Sequence, residues 1–211
     1  MKTLIEKYKI LFGNREFVIS TALGVLFLVV GFLSNHIAVL YSTMWVSNSV
    51  NDIVLDSIKT FDVDVIFVWG AYALVAFIFF LVIVQPKHFP FALKTISLFI
   101  VVRSLFTVLT HIGQPLNQLP VDPIRFGSSF FFGGDLFFSG HTGLPFLMML
   151  LFWDEKWLRP IFFSVSIFFA VIVLLGHYHY SIDVFAAYFI TYGIYKISLK
   201  LFKKDFHISQ Q

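Results

Sequence analysis

Long apolar runs separated by short polar segments recur along the whole chain. Six can be counted, near residues 17–33, 63–84, 91–112, 138–153, 161–177 and 179–201. A bilayer crossing needs about 20 apolar residues at 1.5 Å rise each. Each run therefore predicts a membrane helix, with the first, fourth and fifth extending into their flanks. The first run is followed by Ser34, Asn35 and His36 and not by a small-x-small cleavage site, so it is expected to stay in place. The expectation is an all-α polytopic membrane protein: one domain over residues 1–211, built as a bundle of six transmembrane helices.

Composition removes the alternatives. Of the 211 residues 58% are hydrophobic and 13% charged, 29 are Phe, and the mean hydropathy is +0.86. A soluble domain is about a quarter charged, so this chain cannot coat a globule with polar side chains. A disordered chain and a nucleic-acid-binding module are excluded for the same reason. Cysteine is absent, which removes disulfides, thiolate metal sites and a cysteine nucleophile.

The net charge of +3 and pI of about 9.1 arise from basic residues lying mostly between the apolar runs or near their ends. Lys2, Lys7, Lys9 and Arg15, then Lys87 and Lys94, Lys156 and Arg159, and Lys196, Lys200, Lys203 and Lys204 would share one side. Only Lys59 and Arg125 fall opposite. The positive-inside rule then places both termini in the cytoplasm. Residues 34–62, 113–137 and 178 would face the extracytoplasmic or lumenal side. The first of these segments carries Asp52, Asp56 and Asp62 and is expected to hold a short interfacial helix. The second is rich in Pro and Gly, which suits a shaped loop.

Polar residues are costly near a bilayer, and here they concentrate at the outer ends of the last three runs. One segment reads GDLFFSGHT and supplies Asp135, Ser139, Gly140, His141 and Thr142. The other reads GHYHYSIDV and supplies His177, His179, Ser181 and Asp183. The i, i+4 spacing of His179 and Asp183 puts both on one helical face. A carboxylate that accepts the Nδ1–H of a histidine fixes its tautomer and leaves Nε2 free to attack. Backbone N–H groups at the helix start beside Ser139, Gly140 and His141 suit phosphate oxygens. A second histidine there would protonate a departing alkoxide. Arg103 adds a fixed cation, about 12 Å below the outer end of its helix, and calls for a phosphate or carboxylate partner.

GDLFFSGHT together with HYHYSIDVFAAYFIT resembles the two signature segments of the sphingomyelin synthase family, a branch of the PAP2-type lipid phosphatase and phosphotransferase superfamily. RSLFTVLT, from Arg103 to Thr110, is similar to that family's arginine-containing third-helix motif. The likeness covers roughly residues 95–200, and the N-terminal third matches in layout only. The resemblance implies that His179 is the nucleophile forming a phosphohistidine, that Asp183 orients it, and that His141 acts as acid and then base. Arg103, Asp135, Ser139, Gly140 and His177 would bind substrate, and no metal or other cofactor would be required. The partners implied are a membrane phospholipid donor and ceramide or another lipid acceptor, with no nucleic acid.

Two departures bear on this. The Lys-x6-Arg-Pro motif of PAP2 phosphatases is missing, which favours the synthase branch. The Pro-rich first-loop motif of animal sphingomyelin synthases is also missing, where this chain reads NDIVLDSIKTFD. Water as acceptor, giving a phospholipase-C-like hydrolase or a lipid phosphate phosphatase, therefore stays open. So does a non-catalytic lipid binder or transporter. For His177 and Asp135 structural roles stand level with functional ones, and Arg103 paired with Asp135 as structural glue is a further alternative.

Overall fold

The computed structural model describes residues 3–118 and 136–210. Among these the regular secondary structure is all helical, with no strand. The helices are α1 (Leu4–Phe12), α2 (Arg15–Met44), α3 (Asp64–Val84), α4 (Phe89–Leu109), α5 (Gly140–Leu151), α6 (Leu158–Leu175), α7 (Ser181–Leu201) and α8 (Lys203–Gln210). Single 3-10 turns occur at Leu55–Ser57 and Pro86–His88. Five helices among the described residues are long and apolar enough to cross a membrane: α2, α3, α4 with the turn before it, α6 and α7. They suggest an integral membrane protein.

The fourth apolar run does not give a helix of that length. α5 has only 12 residues, about 18 Å of rise against a hydrocarbon core of about 30 Å. Its apolar character answers to protein and not to lipid: Leu147 and Met148 are fully buried and Phe152, at its end, nearly so. Ser166 of α6 donates to the Thr142 carbonyl of α5 at 2.8 Å and meets the Tyr188 hydroxyl of α7 at 3.4 Å, a polar link between the three helices.

The first run is longer than its apolar stretch. α2 has 30 residues, so residues 34–44, expected in the first outer segment, are helical. The cause is a buried stripe at seven-residue spacing, Phe17, Gly24, Gly31 and Ala38. Small residues let backbones approach. A Cβ on Gly24 would lie 3.0 Å from Leu93 Cβ, and one on Gly31 3.5 Å from Ile100 Cβ, both on α4.

Lys94 is engaged inside the bundle: its ammonium is buried against Asp205 of α8 at 2.7 Å, and Ser20 of α2 bonds to both.

At the opposite end of the bundle, residues 45–63 fold over the start of α7. Only the Leu55–Ser57 turn in this segment is helical, in place of the expected interfacial helix. Asp52 organises the segment. Its Oδ1 accepts from Val54 and Leu55 N–H (2.9 and 3.1 Å), and its Oδ2 accepts from Ser181 N–H at 2.7 Å, capping α7 from a distant part of the chain. Burial alone would raise the Asp52 pKa, but the bonds from Ser181, Leu55 and Val54 outweigh it and hold the carboxyl below its usual range. A depressed folded-state pKa stabilises above the unfolded value and is lost as pH falls through the folded one. Asp52→Asn is therefore expected to cost about 1 kcal/mol at neutral pH. The gap from wild type should narrow below about pH 4. Thermal midpoints in micelles across pH check this, and a gap independent of pH would count against it.

Candidate active site

The segments that meet at this end are 45–63, 110–118, 136–139 and 176–180. The last is shaped by the end of α6. Gly176 terminates the helix, and His177 N–H bonds to Leu174 O while Tyr178 N–H reaches back to Val173 O. This is the Schellman arrangement, in which the residue after the C-cap adopts the left-handed region and the next N–H caps the third-from-last carbonyl. His177 takes that conformation at φ 54°. The chain then turns directly into α7, so His179 precedes that helix and Asp183 lies in its first turn.

His179 and Asp183 are brought together as expected, although His179 lies just before the helix and not on its face. Nδ1 of His179 lies 3.3 Å from Asp183 Oδ2 and 3.0 Å from the Leu136 carbonyl oxygen. Both neighbours are acceptors, so Nδ1 carries the proton and the lone pair resides on Nε2. Asp183 is fully buried. Its Oδ2 also accepts from Tyr180 N–H at 3.0 Å, and its backbone carbonyl accepts from Ser139 N–H at 3.2 Å. That last bond ties the start of α5 to the start of α7.

α5 begins at Gly140, with Ser139 as N-cap accepting from Thr142 N–H at 3.4 Å. His141 thus sits in the first helical turn, as expected, within electrostatic reach of both His179 and Arg103. Its ring lies 4.3 Å from that of Phe67 and 5.9 Å from that of Phe169.

Arg103 of α4 lies against the same helix start: a Cβ on Gly140 would be 3.1 Å from its Nε. Nε donates to the Phe138 carbonyl at 2.9 Å, and Nη1 to Asn35 Oδ1 at 3.5 Å. Asp135, the alternative partner of Arg103 and a candidate site residue, lies outside the described residues.

His177 is drawn away from the pair. Its Nδ1 contacts the Leu116 carbonyl at 3.1 Å and the Thr60 hydroxyl at 3.4 Å, and that hydroxyl donates to Asn117 O at 3.0 Å. Together with Tyr180 it lines a cavity of about 180 Å³ closed by Asp52, Asp56, Pro115 and Asn117. His177 thus holds connecting segments together through Leu116 and Thr60.

Residue patterns did not reveal Leu136, Tyr180 or Asp52 as parts of this assembly. Tyr180 O–H donates to the Gly113 carbonyl at 2.8 Å and accepts from Val50 N–H at 3.2 Å. Gly113 in turn packs closely on residues 47–49, where a Cβ would lie 2.5 Å from the Ser47 carbonyl oxygen. An aspartate set among apolar residues was the one available signal for Asp52.

Residues 133–200 match the family described as PAP2 superfamily C-terminal. The matched stretch contains α5, α6 and α7, and with them His141, His179 and Asp183. The match supports placement in the PAP2-like superfamily and suggests a phosphatase- or phosphotransferase-type enzyme acting on lipids. No curated protein and no solved structure matches the chain.

Proposed function

We propose that the protein is a lipid phosphotransferase of the sphingomyelin synthase type, working through a phosphohistidine. The observation that carries this reading is the setting of His179 Nδ1 between two acceptors, which leaves the Nε2 lone pair available, with His141 within electrostatic reach. Nε2 attacks the phosphorus of a glycerophospholipid bearing phosphocholine or phosphoethanolamine. The bond from phosphorus to the diacylglycerol oxygen breaks, and that oxygen takes the proton of His141. An acceptor hydroxyl, ceramide by analogy, then gives its proton to His141 and attacks phosphorus. The P–N bond breaks and its electron pair returns to Nε2.

Asp183 holds the attacking tautomer and stabilises the cationic ring formed on attack. Arg103 and the N–H groups at the start of α5 stabilise the charge on the phosphoryl oxygens. In this reading α5 serves as the sixth, short and central helix of one domain, the termini are cytoplasmic, and the site faces the other side. Asp135, Ser139, Gly140 and His177 contact the donor or shape its surroundings.

Head-group-labelled phosphatidylcholine, supplied in liposomes with chelator, with and without ceramide, tests the proposal beside His179→Ala. Labelled sphingomyelin that depends on both ceramide and His179 is the expected product. Phosphocholine released at any ceramide level would make water the acceptor. Lipid movement that survives His179→Ala, with no product from any head group, would leave a non-catalytic protein.

A further inference from the structure

α3 contributes none of the residues singled out by the sequence, yet it reaches the site. Asp64 and Phe67 stand three residues apart in its first turns and share a face. The Phe67 ring lies 4.3 Å from the His141 ring on one side and 4.4 Å from the Tyr178 ring, at 27°, on the other. The Tyr178 hydroxyl donates to Asp64 Oδ1. Tyr178 folds back this way because Gly176 offers no side chain: a Cβ there would lie 2.4 Å from the Tyr178 ring. Phe67 and Tyr178 are 3% and 6% exposed, so the stack is fixed by its surroundings.

We propose that Phe67, Tyr178 and Asp64 form a brace that positions the His141 imidazole for proton transfer to the leaving oxygen. The inference rests on the phosphotransfer reading above. A histidine ring turns about two bonds, and proton transfer requires it within hydrogen-bond reach of the oxygen it serves. Phe67 blocks rotation on one side of His141, Tyr178 keeps Phe67 from yielding, and the bond to Asp64 keeps Tyr178 in place. None of the three touches a reacting atom in this scheme; they are positioning residues.

The test compares two donors with the same head group in the first turnover. One is the natural phospholipid, whose alkoxide must be protonated as it leaves. The other is a p-nitrophenyl phosphodiester, whose nitrophenolate departs without a proton. Phe67→Leu and Tyr178→Phe should slow release from the phospholipid by about tenfold to a hundredfold, while nitrophenolate release stays within about twofold of wild type. KM for the phospholipid should barely change, and Phe67→Tyr should restore the phospholipid rate. Tyr178→Phe removes one hydroxyl only, so it keeps the test sound if Phe67→Leu fails to fold. Equal losses on both donors would make the stack a general structural element, and no loss on either would make it idle. Wild-type protein that turns over neither donor would overturn the phosphotransfer reading itself, and the brace with it.

Discussion

His179→Ala should reduce phosphoryl-group transfer by about 10³-fold or more, since it removes the attacking atom itself. Asp183→Asn should lower it by roughly 10²- to 10⁴-fold while leaving the nucleophile in place. Its amide nitrogen would compete for the Nδ1 side and let the proton move to Nε2, the position that must hold a lone pair. The two losses should not add, because both act through the same imidazole: the double variant should resemble His179→Ala alone. Rates would be followed together with trapping of an acid-labile phosphoenzyme, present in wild type and absent in His179→Ala. Asp183 Oδ2 also accepts from Tyr180 N–H, so thermal stability of Asp183→Asn must be measured alongside. A His179→Ala protein with wild-type turnover would end the phosphohistidine mechanism.

The second large effect is expected at the other end of the bundle. Lys94 and Asp205 form an ion pair whose side chains are 9% and 7% exposed, with Ser20 bonded to both. Removing one partner leaves the other charge buried and unpaired. Asp205→Ala or Lys94→Met should each cost about 3–5 kcal/mol. Combining Lys94→Met with Asp205→Leu should recover much of that loss, because apolar residues of similar volume replace a desolvated pair at little net cost. Unfolding in mixed micelles reads all three proteins. Single variants within about 1 kcal/mol of wild type would mean that the pair is solvated, in the manner of a surface salt bridge.

This pair shows where sequence reading stops. Lys94 counts as one more basic residue in a cytoplasmic segment as long as its partner is unknown. That partner lies 111 residues later, on α8. The stripe Phe17, Gly24, Gly31 and Ala38, by contrast, is present in the chain as a seven-residue period. It would have extended α2 past residue 33 had small residues been weighed as a packing face and not only as apolar ones.

What the chain determined unaided was whatever depends on short spacing or on composition. Apolar runs against a scarcity of charge gave helices and a membrane. The four-residue spacing of His179 and Asp183 kept them close, although His179 lies just before α7 and the turn at Tyr180, whose N–H bonds Asp183 Oδ2, brings them into contact. Ser139 followed by Gly140 and His141 gave the start of α5. Tertiary structure decided the rest. It enclosed the short α5 of 12 residues among the other helices, and it set the Leu136 carbonyl beside His179 Nδ1. It turned His177 towards Leu116 and Thr60, brought Asp52 to cap α7, and carried Phe67 from α3 against His141. Each of these joins residues that are far apart along the chain, and no local periodicity records which segments will meet. That choice belongs to the burial and hydrogen bonding of the whole bundle.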